Sequence, residues 1–152
     1  MTYRSTFAPE TLADNLARLD RLRPDTRPQW GKMNAAQMLA HLNVAYDMET
    51  GAVVVKNNFI SRFLIRTFAK SIVTGPKPYK KNSRTAPQFI ISDERDFARE
   101  KEKLIGHLKR VAAGGEAGYE GKENESFGKL SAEEWSTMYQ KHLEHHFAQF
   151  GL

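Results

Sequence analysis

The sequence predicts an all-α protein, a four-helix bundle with one additional helix, and three observations carry that expectation. Apolar residues recur at spacings of three and four in five separate segments. No segment sustains the strict alternation of a half-buried strand. Prolines, glycines and N-capping residues fall at the ends of these segments, where helices start and stop. A chain of 152 residues buries about 70% of its unfolded surface around one core. Residues 1–152 are therefore expected to form one domain.

The first helix spans about Ala8 to Leu22, with Pro9 in its opening turn, a stripe of Leu12, Leu16 and Leu19, and Pro24 beyond its end. The second begins at Asn34, whose side chain caps the helix while Gln37 reaches back, and runs to about Glu49. Residues 51–55, Gly-Ala-Val-Val-Val, are strand-like but too short and isolated to build a sheet, and read as a connector. The third helix spans Asn58 to Thr74 and closes at Gly75-Pro76. Its Arg62, Arg66 and Lys70 lie four apart and form a basic ridge. A Pro- and Lys-rich loop runs from Gly75 to Pro87. The fourth helix starts near Ser92 or Asp93, turns Phe97, Leu104, Leu108 and Val111 inward and ends at Gly114-Gly115, before a loop to about Leu130. The last helix opens on Ser131 and Glu134, a capping box with Leu130 and Trp135 as its apolar staple, and runs nearly to Gly151.

The composition is that of an ordinary globular protein: 40% hydrophobic, 27% charged, with 10 Gly and 6 Pro. There are no cysteines, which excludes disulfides, thiolate metal sites, iron–sulfur clusters and cysteine nucleophiles. The first residues lack the apolar run of a signal peptide, and no stretch reaches the roughly 18 apolar residues of a membrane span. A cytoplasmic location is expected. The net charge is +5, but the acid-free stretch between Glu49 and Asp93 alone holds Lys56, Arg62, Arg66, Lys70, Lys77, Lys80, Lys81 and Arg84, so the rest of the chain is net negative. Such a block attracts nucleic acid, anionic lipid or an anionic small molecule, or is simply a solvated helix face and loop. It has few interleaved aromatics, and no nucleic-acid-binding signature is present, so sequence-specific nucleic-acid binding is not expected.

Three of the five histidines share the last helix. Taking about 100° per residue from Trp135, His142 falls near 340° and His146 near 20°, inside the apolar stripe, with His145 at its margin near 280°. Residues four apart meet on one face. His41 on the second helix is in register with Met38, Ala45 and Met48, and it also faces the bundle. His107 lies outside its own helix's apolar arc. A lone inward histidine is usually a satisfied core residue, but three need partners, and one divalent ion satisfies all three. His41, His142 and His146 are the expected metal ligands. The set suits zinc or nickel best, with iron or manganese as alternatives.

At these residues the chain resembles the DinB/YfiT-like superfamily of metal-binding helical bundles. The resemblance rests on an inward His41 followed near the C-terminus by His142-x-x-x-His146. Trp30-Gly-Lys-Met33 leading to Gln37-Met38-Leu39-Ala40-His41, and Phe127-Gly-Lys-Leu130 leading through Glu134-Trp135 to Gln149-Phe150-Gly151, are similar to an uncharacterised branch of it. The resemblance implies a metal-dependent hydrolase, or a transferase of low-molecular-weight thiols, acting on a small molecule such as an anion or a thiol. The alternative is a non-catalytic metal- or anion-binding module.

No general base is assignable. Glu144 falls near 180° on the same wheel, away from the ligand face. His145, Asn34 and Tyr46 are the groups expected around the ligands. No phosphate-binding glycine loop or nucleophile elbow occurs. A homodimer is compatible with the sequence, which does not determine oligomeric state.

Overall fold

The computed structural model describes residues 3–56 and 58–152, without the Arg62 side chain, so that part of the expected basic ridge lies outside the described residues. The molecule is mostly helical, and its four long helices share one hydrophobic core. No described helix is long and apolar enough to cross a membrane.

Helix α1, Pro9–Arg21, carries Pro9 at its start, where a missing N–H is no loss. Its buried row is Thr11, Asn15 and Leu19, while Leu12 and Leu16 pack only partly against the core. Gln140 explains the shift. Its side-chain amide exchanges two hydrogen bonds with that of Asn15, at 3.0 and 3.2 Å, satisfying groups whose burial would otherwise cost about 1–3 kcal/mol each.

Helix α2, Ala35–Thr50, starts at the expected capping box: Gln37 N donates to Asn34 Oδ1 at 2.8 Å and Asn34 N donates to Gln37 Oε1 at 3.1 Å. It ends at Gly51, φ 78°, in the left-handed region that favours glycine. Most of its residues are buried, because α2 packs against both α5 and α6.

Residues 59–74 are one helical run in three parts: α3, Phe59–Leu64; a π-helical turn, Ile65–Ala69; and α4, Lys70–Thr74. Asn58 Oδ1 accepts from Ser61 N at 2.8 Å at its start. The π turn has a geometric result. A straight α-helix advances about 100° per residue, so residues four apart drift around it by about 40°. The wider turn cancels much of that drift and keeps such residues in line. Ser61, Ile65, Ala69 and Val73 make a half-buried row, while Ile60, Leu64, Phe68 and Ile72 make an outward row. The expected solvated ridge is corrected in part: Lys70 pairs with Glu134 at 3.0 Å and Arg66 lies 3.9 Å from Glu123, so these cations lean on the body while apolar side chains face solvent.

The loop that follows contains one 3-10 turn, Pro87–Phe89. Helix α5, Phe97–Tyr119, starts later than expected, because Asp96 rather than Ser92 or Asp93 accepts from the third helical N–H, that of Arg99. Gly115 breaks it at φ 61°, ψ 179°, and one more turn continues to Tyr119. The expected loop beyond holds a short antiparallel hairpin, β1 (Glu123–Asn124) and β2 (Gly128–Lys129), pairing Glu123 with Lys129. Helix α6, Ala132–Phe150, has the predicted Ser131–Glu134 capping box. Leu130 and Trp135 are both buried in the core beside it.

Candidate metal centre

Helix α2 supplies His41, and α6 supplies His142 and His146 one turn apart. The three imidazoles form a nearly equilateral group: ring centroids are 5.0 Å apart for His41–His142, 4.6 Å for His41–His146 and 5.0 Å for His142–His146. One ring nitrogen from each lies within 4.8 Å of the others. His41 Nε2 and His142 Nε2 are 2.9 Å apart. Two nitrogens sharing a zinc-like ion at about 2.0–2.1 Å in tetrahedral geometry stand roughly 3.3–3.4 Å apart. The observed set is gathered on that scale.

The rings are oriented by their outer nitrogens. His41 Nδ1 donates to the Phe89 carbonyl at 2.8 Å, which leaves its Nε2 a bare lone pair that accepts from His142 Nε2. His146 Nδ1 donates to Gln149 Oε1 at 2.7 Å. The orientation of that amide follows from its other end, because Gln149 Nε2 donates to the Trp30 carbonyl at 2.8 Å. A side chain at Gly31 would place its Cβ 2.5 Å from Gln149 Nε2, so glycine there makes room for the support.

Burial disfavours protonation of every member. It holds His41 below the usual imidazole range, against the hydrogen bond to Phe89. It depresses His142 strongly, assisted by the charges that His146 and His41 would carry. It takes His146 down to about 3. Neutral imidazole is the form that ligates a metal. His41 and His146 are 6% and 5% exposed, whereas His142 is half-buried and forms the accessible edge. Residues of the loop after α4 roof the group, with Phe89 5.9 Å and Tyr79 6.4 Å from the His142 ring.

Of the groups expected around the trio, only His145 is beside it, 5.0 Å from the His146 ring and packed on Tyr79 and Trp30 at 5.7 and 6.0 Å. Asn34 is used in the α2 cap, and Tyr46 is stacked between Tyr139 and His107 in the core. Glu144 points elsewhere, to Arg18 and Gln140. The reading of His107 as outward-facing is corrected: it packs against α2, stacked on Tyr46 and 3.2 Å from Asp47, because a polar partner lies on the neighbouring helix. Among the loop cations, Lys81 sits 4.2 Å over the Trp30 ring, near this roof.

Phe89, Tyr79 and Gln149 are the site residues that the sequence reading leaves without a role. Phe89 and Tyr79 sit in an irregular loop and carry no periodic signal. Gln149 carried one, since it falls near 320° on the α6 wheel, at the inner face. A cleft of about 410 Å³ lies elsewhere, lined by Met48, Glu49, Val54 and Glu123 among others, and by none of the three histidines.

The chain belongs to the family described as protein of unknown function DUF1569, which matches residues 1–151. No curated protein and no solved structure matches it.

Proposed function

We propose that this chain is a metal-dependent enzyme of the DinB-like type, with its four long helices as the bundle. His41, His142 and His146 would hold one divalent ion, zinc or nickel in preference to iron or manganese. The observation that carries the reading is the convergence of three neutral imidazoles with two of their outer nitrogens held by Phe89 and Gln149. Such outer partners keep metal-binding histidines in the right tautomer and orientation. A bound ion supplies Lewis acidity, the chemistry that activates water or a thiol near neutral pH. The chain's own residues orient the ligands, and the roof of Tyr79 and Phe89 limits solvent at the His142 edge. Three protein ligands leave room for a small-molecule substrate, which is the arrangement of catalytic rather than closed structural sites. Hydrolysis and thiol transfer both fit. The close roof favours a second reading, a metal-binding module without catalysis.

Elemental analysis of untagged wild-type protein and of His142→Ala tests the site, with circular dichroism to verify folding. One divalent ion per chain is expected in the wild type and a large loss in the variant. Folded wild-type protein that takes up no divalent ion would overturn the reading. Turnover of model esters or thiol conjugates by loaded wild type, abolished in His142→Ala, separates the enzyme from the module.

A further inference from the structure

The run from Phe59 to Thr74 is amphipathic in an unusual sense. Of its cations, the two with described side chains, Arg66 and Lys70, are paired with Glu123 and Glu134 at the flank of the body. Its large apolar side chains face solvent: Phe59 is 85% exposed, Ile60 70%, Phe63 61%, Phe68 65% and Ile72 62%. A phenylalanine offers about 150–250 Å², so these three alone expose roughly 300–500 Å². The largest apolar patch on a typical monomer is about 300–600 Å², and Ile60, Leu64 and Ile72 enlarge this one further. The segment is also fastened in place, since buried Lys141 donates to the carbonyls of Ile72 and Gly75 at 2.5 and 2.6 Å.

We propose that this outward face is a docking surface for an anionic lipid bilayer, on which residues 59–74 lie in the plane of the interface without crossing it. Charge complementarity selects the occupant. No acidic residue occurs from 50 to 92, whereas Lys56 lies just before the run and Lys77, Lys80, Lys81 and Arg84 lie just after it. All five are exposed, and among the described residues none of them has a carboxylate partner. Interfacial helices bind through buried apolar area together with attraction of flanking cations to anionic headgroups. A second copy of the chain fits less well. A two-fold contact is self-complementary, and through this face it would bring cationic ends together with no acid from the segment to neutralise them.

The test is flotation of the full chain with vesicles of phosphatidylcholine alone and of phosphatidylcholine mixed with phosphatidylserine. Light scattering of the free protein accompanies it. The expected result is a monomer that floats with the phosphatidylserine vesicles, more weakly at high salt. The exposed-site variant Phe59→Ser/Phe63→Ser/Phe68→Ser should keep its helical circular dichroism and lose about tenfold in binding for each phenylalanine removed. Absence of flotation, or flotation that the triple variant retains, overturns the proposal. So does a stable dimer that the triple variant dissociates, which would assign this face to contact between copies.

Discussion

His146 Nδ1 lies 2.7 Å from Gln149 Oε1, three residues further along α6, and the far end of the same amide is tied to the Trp30 carbonyl. One glutamine therefore fastens a histidine of the trio to the segment that leads into α2. Gln149→Ala should preserve the fold and weaken zinc binding by about 10–100-fold, the usual cost of removing an outer partner of a metal ligand. Competition with a chromogenic chelator measures it. Unchanged affinity would show that His146 is oriented by packing alone.

His145 and His146 are neighbours in sequence with different surroundings. His145 packs its ring on Trp30 and Tyr79, outside the group of converging nitrogens. In calorimetric titrations with zinc, His145→Ala should stay within about tenfold of wild type while His146→Ala loses more than about a hundredfold. Equal losses would place His145 among the ligands.

The features legible in the sequence are those that act locally or repeat with a period. Asn34 with Gln37 and Ser131 with Glu134 are visible because both capping partners lie within one turn. The convergence of His41, His142 and His146 is visible because each shares the phase of its helix's apolar residues. Less legible are choices made by partners far along the chain. Asn15 enters the interior because Gln140 meets it from 125 residues away. Lys70 turns to the body because Glu134 waits there, which sends Phe68 and Ile72 outward. The π turn has no proline or glycine to announce it.

Lys141 is almost fully buried, and burial lowers its pKa to about 8. Its ammonium group is satisfied by the carbonyls of Ile72 and Gly75 at the end of α4, where a helix C-terminus favours a cation. Lys141→Met fills similar space without a donor. It should raise amide hydrogen exchange in residues 70–75 selectively, with a local destabilisation of about 1–3 kcal/mol for the stranded carbonyls. Exchange unchanged there would mean that the half-buried row of Ile65, Ala69 and Val73 suffices to hold the run.

Glu49 is a buried carboxylate whose pairing ties stability to pH. Its side chain is 2% exposed, with Arg110 of α5 at 2.5 Å on one oxygen and Lys122, just before β1, on the other. Burial alone would raise its pKa, but the hydrogen bonds and charges of Arg110 and Lys122 outweigh burial and hold the carboxyl below its usual range. The folded-state pKa is thus lower than the unfolded one, so the folded state binds the proton less readily. The stabilisation is fully present above the unfolded value of about 4.3 and drains away as pH falls through the folded value. Glu49→Gln takes the carboxylate from two cations that are each more than a third exposed, and should cost about 1–2 kcal/mol near pH 7, or on the order of 5 °C in Tm for a domain of this size. Melting curves recorded from neutral pH downward should show the gap between wild type and Glu49→Gln narrowing only once pH drops below the ordinary carboxylate range. A gap that is constant with pH would show that Glu49 contributes through shape rather than charge.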